Sequence, residues 1–149
     1  MIRSLTRRNR GQELVEYALT LPLLLLLVLG IMEFGIAIFT YNSIANAARE
    51  GARVGAVARG SEAEVIEAVT NAAIGRTGGL RLTGDNITVE VEELDSEDDE
   101  ELDRDAVKVT VFYEHQLITG MIIQAAGGNA TLDLQSVATM YREVPRSSD

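Results

Sequence analysis

Between Tyr17 and Met32 sixteen consecutive residues carry no charge, and this run restricts the chain more than any other feature. After Glu33 the apolar character resumes through Phe34, Ile36, Ile38 and Phe39. A helix from Tyr17 to Tyr41 would measure about 37 Å at about 1.5 Å per residue, enough for a hydrocarbon core of about 30 Å with some tilt. Tyr17 and Tyr41 bracket it as interfacial anchors. Upstream stand Arg3, Arg7, Arg8 and Arg10, with no acidic residue among the first twelve. Basic flanks stay in the cytoplasm, so the sequence predicts a single-pass protein of the cytoplasmic (inner) membrane, N-terminus inside and C-terminal part extracytoplasmic. A signal peptide shares the basic start and the apolar run. Here the run is too long for a typical signal, and an Ala/Gly/Arg helical segment follows it where a cleavage site would need extended chain. Pro22 is tolerable inside a membrane helix. A retained anchor is expected.

The charge balance and the missing residue types remove several function classes. Net charge is −10 and the sequence pI about 4.6, whereas phosphate binding needs a Lys/Arg surface, so nucleic acid is not an expected partner. From Asn42 onward there are 9 basic and 20 acidic residues, which places the negative charge in the exported part. With no cysteine and one histidine, His115, the chain has no material for a Cys/His pair or a multi-histidine zinc site. A Ser-His-Asp triad would have to be built on His115, which falls at the end of an ordinary strand pattern. No catalytic, metal or cofactor-binding residues are expected, and no small-molecule substrate.

At the membrane entry the residues run Gly11-Gln12-Glu13-Leu14-Val15-Glu16-Tyr17. A glycine ends the basic leader, and a glutamate follows five residues later at the edge of the apolar run. This resembles a prepilin peptidase site of the Tad type. Cleavage after Gly11 would leave Gln12 as the new N-terminus and Glu16 at the fifth mature position. A carboxylate near apolar surroundings is costly unless neutralised, and in pilin-like assemblies its partner is the ammonium of an adjacent subunit. On spacing alone, Glu13 and Glu16 equally suit a helix start, where the dipole favours acidic groups.

The resemblance extends through Leu21-Pro22-Leu23-Leu24, Gly30-Ile31-Met32-Glu33-Phe34-Gly35, Tyr41-Asn42 and Ala47-Ala48-Arg49-Glu50-Gly51-Ala52-Arg53. This ordered set is similar to the N-terminal signature of TadE-like proteins and covers roughly the first third of the chain. It implies a minor pseudopilin of the Tad pilus and secretion system, acting in pilus assembly and adhesion. Its implied partners are the membrane, the prepilin peptidase, other pilin-like subunits and the Tad machinery. Glu33 stands inside the span, where a carboxylate costs on the order of 3 kcal/mol at the helix centre. Two readings stay open for it: snorkelling to the headgroups, or being protonated or paired with a neighbouring subunit or machine component in assembly.

Past Tyr41 the helix is expected to run to Arg59, giving a basic leader over 1–11, a long helix over 12–59 with its membrane segment at about 17–41, and an extracytoplasmic domain over 60–149. Ala45, Ala48, Ala52 and Gly55 make a smooth stripe. Gly51 and Gly55 form a small-xxx-small pair that suits close helix contact, either with another subunit or, the favoured reading, with this chain's own sheet. Arg49, Glu50 and Arg53 complete the candidate assembly residues. Ser61 and Glu64 predict a capping box for a second helix with Val65, Ile66, Val69, Ala72 and Ala73 on its apolar face. Strands are expected at Leu80–Thr83, Ile87–Leu94, Ala106–His115 and Thr131–Arg142, with a turn at Gly84-Asp85-Asn86. Leu117–Ala126 is apolar and fits a helical turn or a surface-lying piece equally. The acidic run Asp95–Asp105 lacks the glycine of a calcium loop and reads as a solvated hairpin. The expected fold is α+β and pilin-like: a long transmembrane helix entering a small domain of antiparallel sheet and second helix.

Three functions compete. A pseudopilin, minor or main filament subunit, rests on Gly11, Glu16 and the long helix. A membrane-anchored ligand- or protein-binding module would show a deep polar pocket. A tethered hydrolase would need convergent acid, base and nucleophile, which the sequence does not offer.

Overall fold

The computed structural model of the chain describes residues 6–94 and 104–143. Helix α1 runs Thr6–Val57, starting upstream of the expected position and ending two residues short of Arg59. Leu and Ala, strong helix formers, recur along it, and a span must close its backbone hydrogen bonds within itself because lipid offers no partners. Pro22 lies inside the helix, where it removes one donor. The Thr20 hydroxyl donates back to the Glu16 carbonyl at 2.7 Å and the Ser43 hydroxyl to that of Phe39 at 2.9 Å. Past Val57 the Ala58 amide still donates to the Val54 carbonyl at 2.9 Å, and Gly60, with a φ of 132°, takes a conformation open to glycine at no steric cost.

Helix α2 spans Glu62–Gly75, capped as expected by Ser61 and Glu64 in a reciprocal box. After a 3-10 turn at Gly84–Asn86 come strand β1 (Ile87–Leu94), strand β2 (Arg104–Gln116), the short helix α3 (Gly120–Ala125) and strand β3 (Thr131–Glu143). The sheet is antiparallel in the order β1-β2-β3. Val89 faces Val109, and Val109 in turn faces Ala138. The fold is α+β.

Two expectations in the connections differ. Leu80–Thr83 is not a strand. Its backbone closes local turns instead, Leu80 N to Thr77 O and Leu82 N to Leu80 O, both at 3.2 Å, and the alternation of its two leucines serves to drop Leu82 into the core. Leu117–Ala126 contains a turn and then α3. Of the acidic run, residues 95–103 lie outside the described residues, and with them the calcium question. Asp105, at its end, forms an ion pair across the strands with Arg142.

Among the described residues two compact units form, one of 6–36 with 117–130, the other of 37–94, 104–116 and 131–143. In the second, period-two alternation sends Val107, Val109 and Val111 of β2 to one face, all fully buried. Against them pack Ile44, Ala47, Ala48 and Ala52 of α1 and Val65, Val69 and Ala73 of α2. The stripe on α1 is therefore turned slightly from the expected one, since Ala45 is only half-buried while Ile44 and Ala47 are buried. Small residues let the helix axis lie close to the sheet, and each buried valine contributes roughly 1.5–3 kcal/mol. The first unit holds the apolar part of α1. It is the one helix among the described residues long and apolar enough to cross a membrane, and none of its most apolar window is covered by protein.

Candidate assembly and membrane sites

Gly11, Gln12, Glu16 and Tyr17 all lie on α1 and all are exposed. Nothing stands within 4 Å of where a Gly11 Cβ would be, so packing does not require glycine there. What glycine does supply is weakness, about 1 kcal/mol of helix propensity lost relative to alanine.

Glu33 engages its own chain. Its Oε1 accepts the Ile118 amide at 3.0 Å, and its Oε2 accepts the Thr119 amide at 3.0 Å and the Thr119 hydroxyl at 3.2 Å. Two backbone donors of the turn before α3 are thereby satisfied, and the carboxylate that would be costly in the span gains three donors. Sequence reasoning offered headgroups, protonation, or a partner on another subunit or machine component for Glu33, and did not foresee Ile118 and Thr119. The contact spans 85 residues and carries no local signature. Its only trace is that residues 117–130 contain no charge in a strongly acidic chain.

The Ala-Ala-Arg-Glu-Gly-Ala-Arg segment forms a second place of interest. Arg49, Glu50 and Arg53 project from α1 into an open cleft of about 690 Å³, which Asn46, Arg76 and Met140 also line. Arg53 holds Glu50 with both arms of its guanidinium, Nε to Oε2 at 3.1 Å and Nη2 to Oε1 at 2.7 Å. These hydrogen bonds, with the Arg53 and Arg76 charges, keep the Glu50 carboxyl below its usual range against a smaller opposing desolvation. Arg49 folds along the helix, donating to Ala45 O and Asn46 Oδ1, each at 3.1 Å. The cleft thus gathers three guanidinium groups against one neutralised carboxylate, which suits a carboxylate ligand. Arg76 is the member that sequence reasoning missed; its place at the end of α2 gave no hint of convergence.

Gly51 and Gly55 face inward. A Cβ on Gly51 would sit 3.2 Å from Val109 and 3.3 Å from Val69, and one on Gly55 2.6 Å from Val107. The close approach that these glycines permit is to the chain's own sheet and α2. His115 is buried at the end of β2, in register with Leu132. Among the described residues no three His, Cys, Asp or Glu side chains gather as a metal site would require.

No curated protein and no solved structure matches the chain. Residues 11–53 match the family model for TadE-like proteins.

Proposed function

We propose that the protein is a minor pseudopilin of a Tad-type pilus or secretion system. It is held in the cytoplasmic membrane by α1, N-terminus inside and C-terminal domain outside, and is cleaved after Gly11 by an aspartic prepilin peptidase. The observation that carries this reading is the family match, which starts at Gly11 and runs through Arg53 along one continuous helix. The uncovered apolar window of that helix supports the membrane anchor, and the four leader arginines support the orientation. In this reading Glu16, exposed at the membrane entry, meets the new N-terminal ammonium of an adjacent subunit. Arg49, Glu50 and Arg53 offer the basic cleft to an acidic segment of another component. The protein contributes contacts to an assembly and no chemistry.

Co-expression with a Tad-type prepilin peptidase tests the proposal. Intact-mass spectrometry is expected to show loss of residues 1–11, about 1.3 kDa, and a substitution such as Gly11→Leu to abolish the loss. An unchanged mass with a competent peptidase would reduce the protein to an ordinary anchored domain.

A further inference from the structure

The segment joining β2 to β3 is built more firmly than a connection needs. The Leu117 amide donates to Ala130 O and the Gly128 amide to Ile123 O, each at 2.9 Å, which closes the loop on itself. Gly120 and Gly128 allow that closure, since a Cβ at either would lie 2.9 Å from the Ala130 Cβ or 2.6 Å from the Ile123 side chain. The Glu33 hydrogen bonds to Ile118 and Thr119 then tie the loop to the apolar helix within the same compact unit. Yet this tied and charge-free loop leaves Ile118 58%, Met121 85% and Ile122 52% exposed. Three large apolar side chains together on one short element of an acidic protein call for a cover.

The depth of Glu33 says what that cover is. At 1.5 Å per residue, Glu33 lies about 24 Å from Tyr17 along α1, roughly 6 Å short of the far edge of a hydrocarbon core of about 30 Å. An interfacial helix buries its apolar face by about 5–10 Å at this boundary. Non-helical backbone at such a depth must have its amides satisfied from within the protein, which is what the Glu33 carboxylate does for Ile118 and Thr119. We propose that residues 117–130 form a second membrane-contacting element, which lays Ile118, Met121 and Ile122 into the bilayer interface beside α1, with Glu33 as the clasp that holds it there. The occupant of the apolar face is lipid, because the helix the loop is tied to is itself the membrane span. The span reading is assumed here, and the experiment includes a probe of it.

The chain has no cysteine, so single substitutions give unique labelling positions. Full-length Met121→Cys, Leu24→Cys and Glu67→Cys chains, each carrying an environment-sensitive fluorophore, are reconstituted in phosphatidylcholine/phosphatidylglycerol vesicles. Shallow doxyl-labelled lipid and aqueous iodide serve as quenchers. Doxyl lipid is expected to lower emission from the Met121 position roughly twofold while iodide leaves it unchanged, with the reverse at Glu67. A lipid-quenched Leu24 label with an iodide-quenched Met121 label overturns the loop proposal and leaves the anchor intact. A Met121 label shielded from both quenchers also overturns it, and assigns the face to a protein. A Leu24 label quenched by iodide overturns both the loop and the span. Adding Glu33→Ala to the Met121→Cys chain is expected to shift the label from doxyl to iodide quenching with Leu24 unmoved. Unchanged quenching would refute the clasp.

Discussion

Gly55 shows how little room one position has. A Cβ there would sit 2.6 Å from the Val107 Cγ1 and 3.0 Å from the Val69 Cγ2. Both valines are essentially fully buried and stiff at χ1, so neither yields easily. Overpacking of this kind costs about 1–3 kcal/mol, while replacing glycine by alanine within a helix recovers about 1 kcal/mol. Gly55→Ala is therefore expected to destabilise the domain by up to about 2 kcal/mol, a fall of several degrees in Tm for a fold of this size. At Gly51 the nearest atoms stand at 3.2–3.4 Å, and the two effects nearly cancel. Thermal unfolding of both variants in detergent, followed by circular dichroism, checks the order. Equal Tm values would mean that α1 shifts freely over the sheet. The spacing of small residues on α1 was readable in the sequence, but which partner they admit was not, because Val107 and Val69 lie far along the chain and only the sheet brings them to the helix.

At the scale of elements, α2 depends on its first turn. Glu64 accepts the Ser61 amide at 2.8 Å and the Ser61 hydroxyl at 3.1 Å, and donates its own amide back to that hydroxyl. The Ser61 amide, then its hydroxyl, holds the Glu64 carboxyl below its ordinary value of 4.5 against a smaller desolvation. A carboxyl depressed on folding stabilises the fold fully above its unfolded value and loses that contribution as pH falls through the lower folded one. The first turn of α2 is expected to fray as pH falls below the ordinary carboxyl value of 4.5 and through the lower folded one, seen as hydrogen-exchange protection lost there before β2 changes. Ser61→Ala should remove about 1 kcal/mol at neutral pH and Glu64→Gln should flatten the acid dependence; protection that ignores both would put the stability of α2 in its packing alone. This capping box was legible because all its parts lie within four residues, as were Ile87–Leu94 and the strands around Val107 and Val137 from their alternation. Leu80–Thr83 showed the same alternation and is no strand, since pairing depends on a neighbour that four residues cannot specify. Leu117–Ala126 was ambiguous for the converse reason: its first turn is held in part by Glu33, through the Ile118 and Thr119 amides, and no local pattern announces that partner.

For the whole molecule, two carboxylates of one apolar helix meet opposite circumstances. Glu33 accepts three hydrogen bonds from its own chain, so its cost in lipid is met at home. Glu16, at the entry to the uncharged run, is exposed, and three residues before it stands the only other acid near that end, Glu13. A carboxylate placed at the edge of lipid with solvent on one side alone gains most from a cation brought by another molecule. Removal of residues 1–11 would discard the four leader arginines and create, at Gln12, a single positive charge at a fixed distance from each subunit's own Glu16. In a packed array that ammonium can reach the Glu16 of a neighbour, and breaking such a pair in an apolar setting costs on the order of 3–5 kcal/mol per contact. Glu16→Gln keeps the helix, the leader and Gly11, so processing should proceed with the same mass loss, while the yield of assembled pili falls at least about tenfold because each lost contact leaves an amine unmatched. Sheared-pilus yield, measured beside intact mass in the same cells, separates the two steps. Normal yield from processed Glu16→Gln protein would show that the entry carboxylate serves only to begin the helix, where the dipole alone accounts for it.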